Sequence, residues 1–130
     1  MLLVLYVDGG CSGNGQRDLS KRQMVSVVTD EHGEVLSEKI ESGGSNNIAE
    51  LIAVRDALRL ATSAGIETLH VLTDSRNNLS WTFGRKVGTG INDRARVVAL
   101  KAEIAQLQTR LEFSMEWVPR ERNIAGHYIE

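Results

Sequence analysis

The run Leu2-Leu3-Val4-Leu5-Tyr6-Val7 carries no charge until Asp8-Gly9-Gly10 breaks it. A short apolar run without polar alternation, stopped by turn-forming residues, reads as a strand buried at the centre of a sheet. Such a strand needs neighbouring strands and covering layers, and the rest of the chain supplies both. Gly13-Asn14-Gly15 reads as a turn. Gln23–Thr29 predicts a second strand, Asp30-Glu31-His32-Gly33 a hairpin turn, and Glu34–Ile40 a third strand. After the Gly43-Gly44-Ser45 loop, Ile48, Leu51, Ile52, Val54, Leu58 and Ala61 recur at helical steps, with Asn47 as the expected N-cap and Gly65 as the terminator. Thr68–Leu72 predicts a fourth strand, Ser75–Phe83 a short helix, and Gly84–Gly90 a glycine-rich connection. Asn92 or Asp93 is expected to cap a long helix with Val97, Leu100, Ile104 and Leu107 on its apolar face. Leu111–Val118 is the expected fifth strand, stopped by Pro119, and Asn123–Glu130 a short terminal helix. Strands 1–3 form an antiparallel meander, whereas strands 4 and 5 return through helices, which favours pairing parallel to strand 1. The fold class is α/β, one five-stranded mixed sheet flanked by helices.

At 130 residues the chain suits a single domain spanning 1–130. The lone Cys11 excludes a disulfide framework within the chain and a multi-cysteine zinc site. No apolar run is long enough to span a membrane, and the start lacks the basic segment of a signal peptide, so the expected compartment is cytoplasmic. A formal net charge of -2 weighs against holding nucleic acid by global positive charge. Local basic patches are open to it, at Arg17, Lys21 and Arg22 and at Arg85 and Lys86 near Trp81. Trp81 itself is expected in the core, and His32 and His70 as structural or surface residues.

Three acidic residues stand out by position. Asp8 interrupts the end of the first strand, Glu50 sits in the first turn of the first helix among Ile48, Ala49, Leu51 and Ile52, and Asp74 closes the fourth strand. In this topology the three can converge. Crowded carboxylates repel, so they need protons or a cation. An all-oxygen site suits Mg²⁺, and a pair of such ions can orient an attacking water and stabilise a leaving oxygen. Each residue also has an ordinary reading: Asp8 as a turn residue, Glu50 as a complement to the helix dipole, Asp74 as a cap.

The chain resembles the type 1 ribonuclease H family in four motifs that fall in order. They are Tyr6-Val7-Asp8-Gly9-Gly10-Cys11-Ser12-Gly13-Asn14, Ser45-Asn46-Asn47-Ile48-Ala49-Glu50-Leu51, Leu72-Thr73-Asp74-Ser75, and Trp117-Val118-Pro119-Arg120-Glu121-Arg122-Asn123. The resemblance implies a ribonuclease H-like fold and an endoribonuclease that hydrolyses the RNA strand of RNA–DNA hybrids with two divalent ions, Mg²⁺ or Mn²⁺, leaving a 5'-phosphate and a 3'-hydroxyl. It implies that Asp8 bridges both ions and that Glu50 and Asp74 hold the ion on the leaving side. It also implies substrate contacts from Asn14, Asn46 and Asn47 to the hybrid's minor groove and sugars. Ser45, in place of the family's Thr, keeps a hydroxyl for a DNA phosphate, and Gly9 and Cys11 contribute backbone contacts. An A-form-like hybrid displays its 2'-hydroxyls in a wide, shallow minor groove, where short amides can donate and accept.

The chain departs from the family pattern at its end. Aligning Asn123 puts His127 where the fourth acidic ligand belongs. His is softer than a carboxylate and favours Mn²⁺ over Mg²⁺. Glu130, one helical turn on, is the alternative fourth ligand. The loop Pro119-Arg120-Glu121-Arg122 lacks the His of many relatives, with Glu121 or Arg120 as possible substitutes, and Gly84–Gly90 is too short for a basic handle helix, so the expected form is compact and monomeric. Two other readings stand beside the enzyme: a catalytically impaired hybrid-binding module, and another nuclease of the superfamily. The exonuclease pattern wants an acidic residue where Gly10 stands, and a junction resolvase is normally longer and dimeric.

Overall fold

The computed structural model describes residues 1–12, 22–84, 86–91 and 93–129. Its elements run β1 (Leu2–Ser12), β2 (Gln23–Thr29), β3 (Val35–Ser42), α1 (Asn46–Ser63), β4 (Thr68–Thr73), α2 (Arg76–Thr82), α3 (Arg94–Gln108), β5 (Glu112–Trp117), a single 3₁₀ turn (Arg120–Arg122) and α4 (Ile124–Ile129). The five strands form one sheet in the order β3-β2-β1-β4-β5. β1 pairs antiparallel with β2, and β2 with β3. β4 pairs parallel with β1 (Leu5 opposite Val71), and β5 parallel with β4. This is the expected mixed sheet, with the most apolar strand at its centre.

The core lies between the sheet and α1. Leu5 and Val7 of β1, Met24 and Val28 of β2, and Leu69 and Val71 of β4 meet Ile48, Leu51, Ile52, Val54 and Leu58 of α1, all buried. α3 adds Val97, Leu100 and Ile104, and α2 adds Trp81, which is 1% exposed, as expected of a core aromatic. Four exposed or half-exposed groups tie the outer elements together. Arg59 Nε of α1 donates to Glu103 Oε2 of α3 at 2.7 Å, and Arg96 Nη2 of α3 donates to Glu41 Oε2 of β3 at 2.6 Å. No helix among the described residues is long and apolar enough to cross a membrane. No helix forms among the described residues joining α2 to α3.

Three local expectations need correction. β1 does not end at Val7 but continues through Asp8-Gly9-Gly10 to Ser12, in register with β2. The glycines there admit close packing rather than a turn. The N-cap of α1 is Ser45, not Asn47: its backbone is extended and its Oγ accepts from the Ile48 N–H at 3.3 Å. Asp93 precedes α3 but makes no cap hydrogen bond through its side chain, and its backbone is left-handed (φ 53°) rather than the extended form a capping residue takes. Gly65 does end α1, at φ +70°. The expected turn at Gly13-Asn14-Gly15, the basic residues Arg17, Lys21 and Arg85, the cap candidate Asn92, and the ligand candidates Asn14 and Glu130 lie outside the described residues.

Candidate active site

Pairing between β1 and β4 stops at Tyr6 opposite Leu72. Beyond that point β1 runs on beside β2 alone, with Asp8 opposite Val27. The chain leaves β1 toward β2 and β3 on one side and returns through α1 to β4 on the other. The carboxyl end of these two parallel strands is therefore the switch point where open α/β sheets place their ligands.

Successive residues of a strand face opposite sides of the sheet, and here the two sides hold different helices. A Cβ on Gly9 would collide with the backbone of Ala49 and Glu50, so α1 begins directly against that glycine. Ser26, opposite Gly9, fixes the same spot by donating its hydroxyl to the Ala49 carbonyl at 2.6 Å. Gly10 faces α4, where a Cβ would meet Ile129 and Val25 at ordinary contact distance. α4 is held in turn by the wholly buried Asn123. Its Nδ2 donates to the Val7 carbonyl at 2.9 Å and its Oδ1 accepts from the Ala125 N–H at 3.1 Å. Gly126 then lies so close to Asp8 that a Cβ there would stand 3.1 Å from Asp8 Oδ2.

Asp74 follows the last residue of β4. Its backbone carbonyl accepts from the Trp117 indole N–H at 3.1 Å, and the next residue, Ser75, caps α2 by accepting from the Asn78 N–H at 3.1 Å. The Ser75 hydroxyl also hydrogen-bonds the Glu50 carboxylate. β1, α1 and the β4–α2 junction thus bring one carboxylate oxygen each of Asp8, Glu50 and Asp74 to within 4.8 Å of one another.

The electrostatics are those of a site built for a cation. Burial, reinforced by the charge of Asp74, pushes Asp8 from the ordinary 3.8 up to about 6, against the pull of the Gly9 N–H and the Arg120 guanidinium. Burial also pushes Glu50 from 4.5 up to about 8. The Ser75 hydrogen bond opposes that rise, and the charges of Asp8 and Asp74 add to it. Asp74 Oδ2 is buried and has no hydrogen-bond partner. An acceptor in that state is costly unless something satisfies it, and three hard oxygen donors fit Mg²⁺ or Mn²⁺.

The other expected residues fall into two groups. Ser45, Asn46 and Asn47 stand at the start of α1, one turn from Glu50, with Asn46 exposed and Asn47 half-buried. The Ser45 oxygen is occupied as a cap acceptor, which leaves its O–H to donate. Cys11 is half-buried farther along β1, its thiol directed to the Ser12 carbonyl. His127, next to Gly126, is exposed and outside the carboxylate cluster. Arg120, weighed as a stand-in for a loop His, is the cation whose charge reaches both Asp8 and Glu50. His70 bonds Ser114 Oγ at 2.6 Å through Nδ1 and Glu116 Oε1 at 3.2 Å through Nε2, which is the structural role expected of it. Spacing in the sequence does not announce the parts played by Ser26, Trp117 and Gly126. Each acts through a contact with a residue distant in the chain.

A family model described as RNase H matches residues 2–127. Among solved structures, the N-terminal RNase H domain of rv2228c from Mycobacterium tuberculosis is 26% identical, with a TM-score of 0.74 over 98% of this chain and 95% of that one. RNase H1 from the halophilic archaeon Halobacterium salinarum is 21% identical, with a TM-score of 0.71 over 98% and 93%, a likeness of fold. LC11-RNase H1, isolated from compost by a metagenomic approach and solved in complex with an RNA/DNA hybrid, is 26% identical, with a TM-score of 0.67 over 93% and 88%. No curated protein matches the chain.

Proposed function

The chain belongs to the RNase H family, and from that premise we propose that it is an endoribonuclease that hydrolyses the RNA strand of RNA–DNA hybrids, leaving a 5'-phosphate and a 3'-hydroxyl. The observation that carries the proposal is the convergence of Asp8, Glu50 and Asp74 at the sheet's switch point, with Asp74 Oδ2 buried and unpartnered. The hybrid complex of LC11-RNase H1 supports the substrate class.

Two divalent ions, Mg²⁺ or Mn²⁺, would supply a nucleophilic water and neutralise charge at the leaving oxygen. Asp8 is assigned to both ions, and Glu50 and Asp74 to the ion on the leaving side. His127 is assigned as the further ligand. The support for it is its place in the chain, directly after Gly126, which packs on Asp8. Glu130 is the alternative. Ser75 and Gly9 orient the carboxylates by hydrogen bonds made before any ion binds. Asn46, Asn47 and Asn14 read 2'-hydroxyls and base edges in the minor groove, Ser45 donates to a DNA phosphate, and Gly9 and Cys11 offer backbone contacts. Residues 1–130 act as one domain and as a monomer, in the cytoplasm.

A second reading, hybrid binding without cleavage, is favoured by one observation: the fourth ligand position carries an exposed His. Labelled hybrid incubated with Mg²⁺ and with Mn²⁺ decides between the two. Cleavage by the parent and none by Asp8→Asn supports the enzyme. Retention of hybrid without cleavage at any concentration of either metal supports the binding module.

A further inference from the structure

Arg76 is exposed, two residues after Asp74, and its guanidinium lies over the Trp117 ring, 4.0 Å from the ring centroid. The same indole donates its N–H to the Asp74 carbonyl. One side chain of β5 therefore fixes the backbone of a cluster carboxylate and, on its face, a guanidinium. Among the described residues Arg76 makes no side-chain hydrogen bond or ion pair, so its N–H donors find no acceptor there. An arginine seated over an aromatic ring gives up part of its rotamer freedom in advance. What it presents at its edge is a planar fork suited to two phosphate oxygens. A second guanidinium lies close by, because Arg120, in the 3₁₀ turn that follows Trp117, acts by its charge on both Asp8 and Glu50. On a chain of net charge -2 a free, pre-oriented cation beside a carboxylate cluster is not a generic feature of the surface.

We propose that Arg76, held in place by Trp117, grips a backbone phosphate of the bound hybrid beside the cleavage site, and so sets where the nucleic acid crosses the β4–β5 side of the carboxylate cluster. The assignment rests on the function proposed above and names a contact that neither the carboxylates nor the amides of α1 supply.

The test measures hybrid binding in Ca²⁺ across a salt series, and cleavage in Mg²⁺ or Mn²⁺, for the parent, Arg76→Ala, Arg76→Lys and Trp117→Phe. Arg76→Ala is expected to weaken binding about three- to tenfold near 0.1 M salt and to lower the slope of log K against log salt by about one phosphate's worth, ~0.9. Its cleavage defect falls mainly on KM. Arg76→Lys keeps the charge without the fork and recovers the slope more than the affinity. Trp117→Phe, which keeps a ring but lacks the N–H, lowers kcat through Asp74 while preserving the salt slope. If Arg76→Ala binds with the parent's affinity and slope, or loses kcat alone, the phosphate contact is wrong and the function above stands. A parent that neither binds nor cuts hybrid overturns both.

Discussion

At the scale of single residues, the cluster is a site whose parts disfavour one another until a cation arrives. In unfolded chains the Asp8 and Glu50 carboxyls titrate near 3.8 and 4.5, and in the fold near 6 and 8. Between these values the folded protein keeps protons that the unfolded chain has released, so stability falls as pH rises. Each unit of displaced pKa is worth about 1.4 kcal/mol. Metal-free protein is therefore expected to melt higher at pH 5 than at pH 8, and saturating Mg²⁺ to recover stability at pH 8. Thermal unfolding in chelator across that range checks the sign, and a melting temperature that climbs from pH 5 to pH 8 without metal contradicts it. Asp8→Asn is expected to raise the metal-free melting temperature at pH 8 while lowering cleavage at least a hundredfold. His127→Ala is expected to cost tenfold or more in Mg²⁺, and His127→Asp to restore Mg²⁺ activity; cleavage by His127→Ala at the parent's rate transfers the role to Glu130. The three carboxylates were legible because each sits beside or within an apolar stretch of a predictable element: Asp8 after the apolar run of β1, Glu50 in the first turn of α1, and Asp74 just past β4. The side-chain contacts that orient them were not, since Trp117 reaches Asp74 and Ser26 reaches Ala49 across the tertiary fold.

At the scale of elements, the site depends on how closely α1 approaches β1. Gly9 and Gly10 look alike in sequence, and the structure separates them. A Cβ on Gly9 would strike the helix backbone, whereas one on Gly10 would meet two side chains at ordinary distance. Gly9→Ala is expected to cost about 1–3 kcal/mol by overpacking and to cut cleavage by displacing Glu50. Gly10→Ala should cost clearly less, and denaturant unfolding of both variants makes the comparison. The paired glycines explain why the end of β1 was misread: small residues needed for close packing carry the same sequence signature as a turn. The alternation of β3 and the helical steps of α1 were readable, because burial of one face dictates them. The cap shifted from Asn47 to Ser45 because capping turns on backbone geometry, which adjacent polar residues do not disclose.

At the scale of the whole molecule, the antiparallel meander of β1–β3 and the parallel return of β4 and β5 through helices followed from element order, and the structure adds the full strand order. The net charge of -2 has a sharper meaning once Asp8, Glu50 and Asp74 are seen to share one site. Loading that site with divalent cation would make the face proposed to meet nucleic acid less negative. Hybrid affinity is accordingly expected to rise on adding Ca²⁺ and to fall steeply between about 0.05 and 0.2 M salt. Affinity that is indifferent to both would place binding elsewhere on the surface. The bond from Asn123 to the Val7 carbonyl has a consequence in time. During synthesis the strand bearing Asp8 is made first, and Glu50 and Asp74 follow. The helix that packs on Asp8 is made after all three, and the loop it closes is the costliest of any contact described here. A nascent chain thus holds Asp8, Glu50 and Asp74 before it can seat them, and the cluster is closed on that side only once α4 has been made.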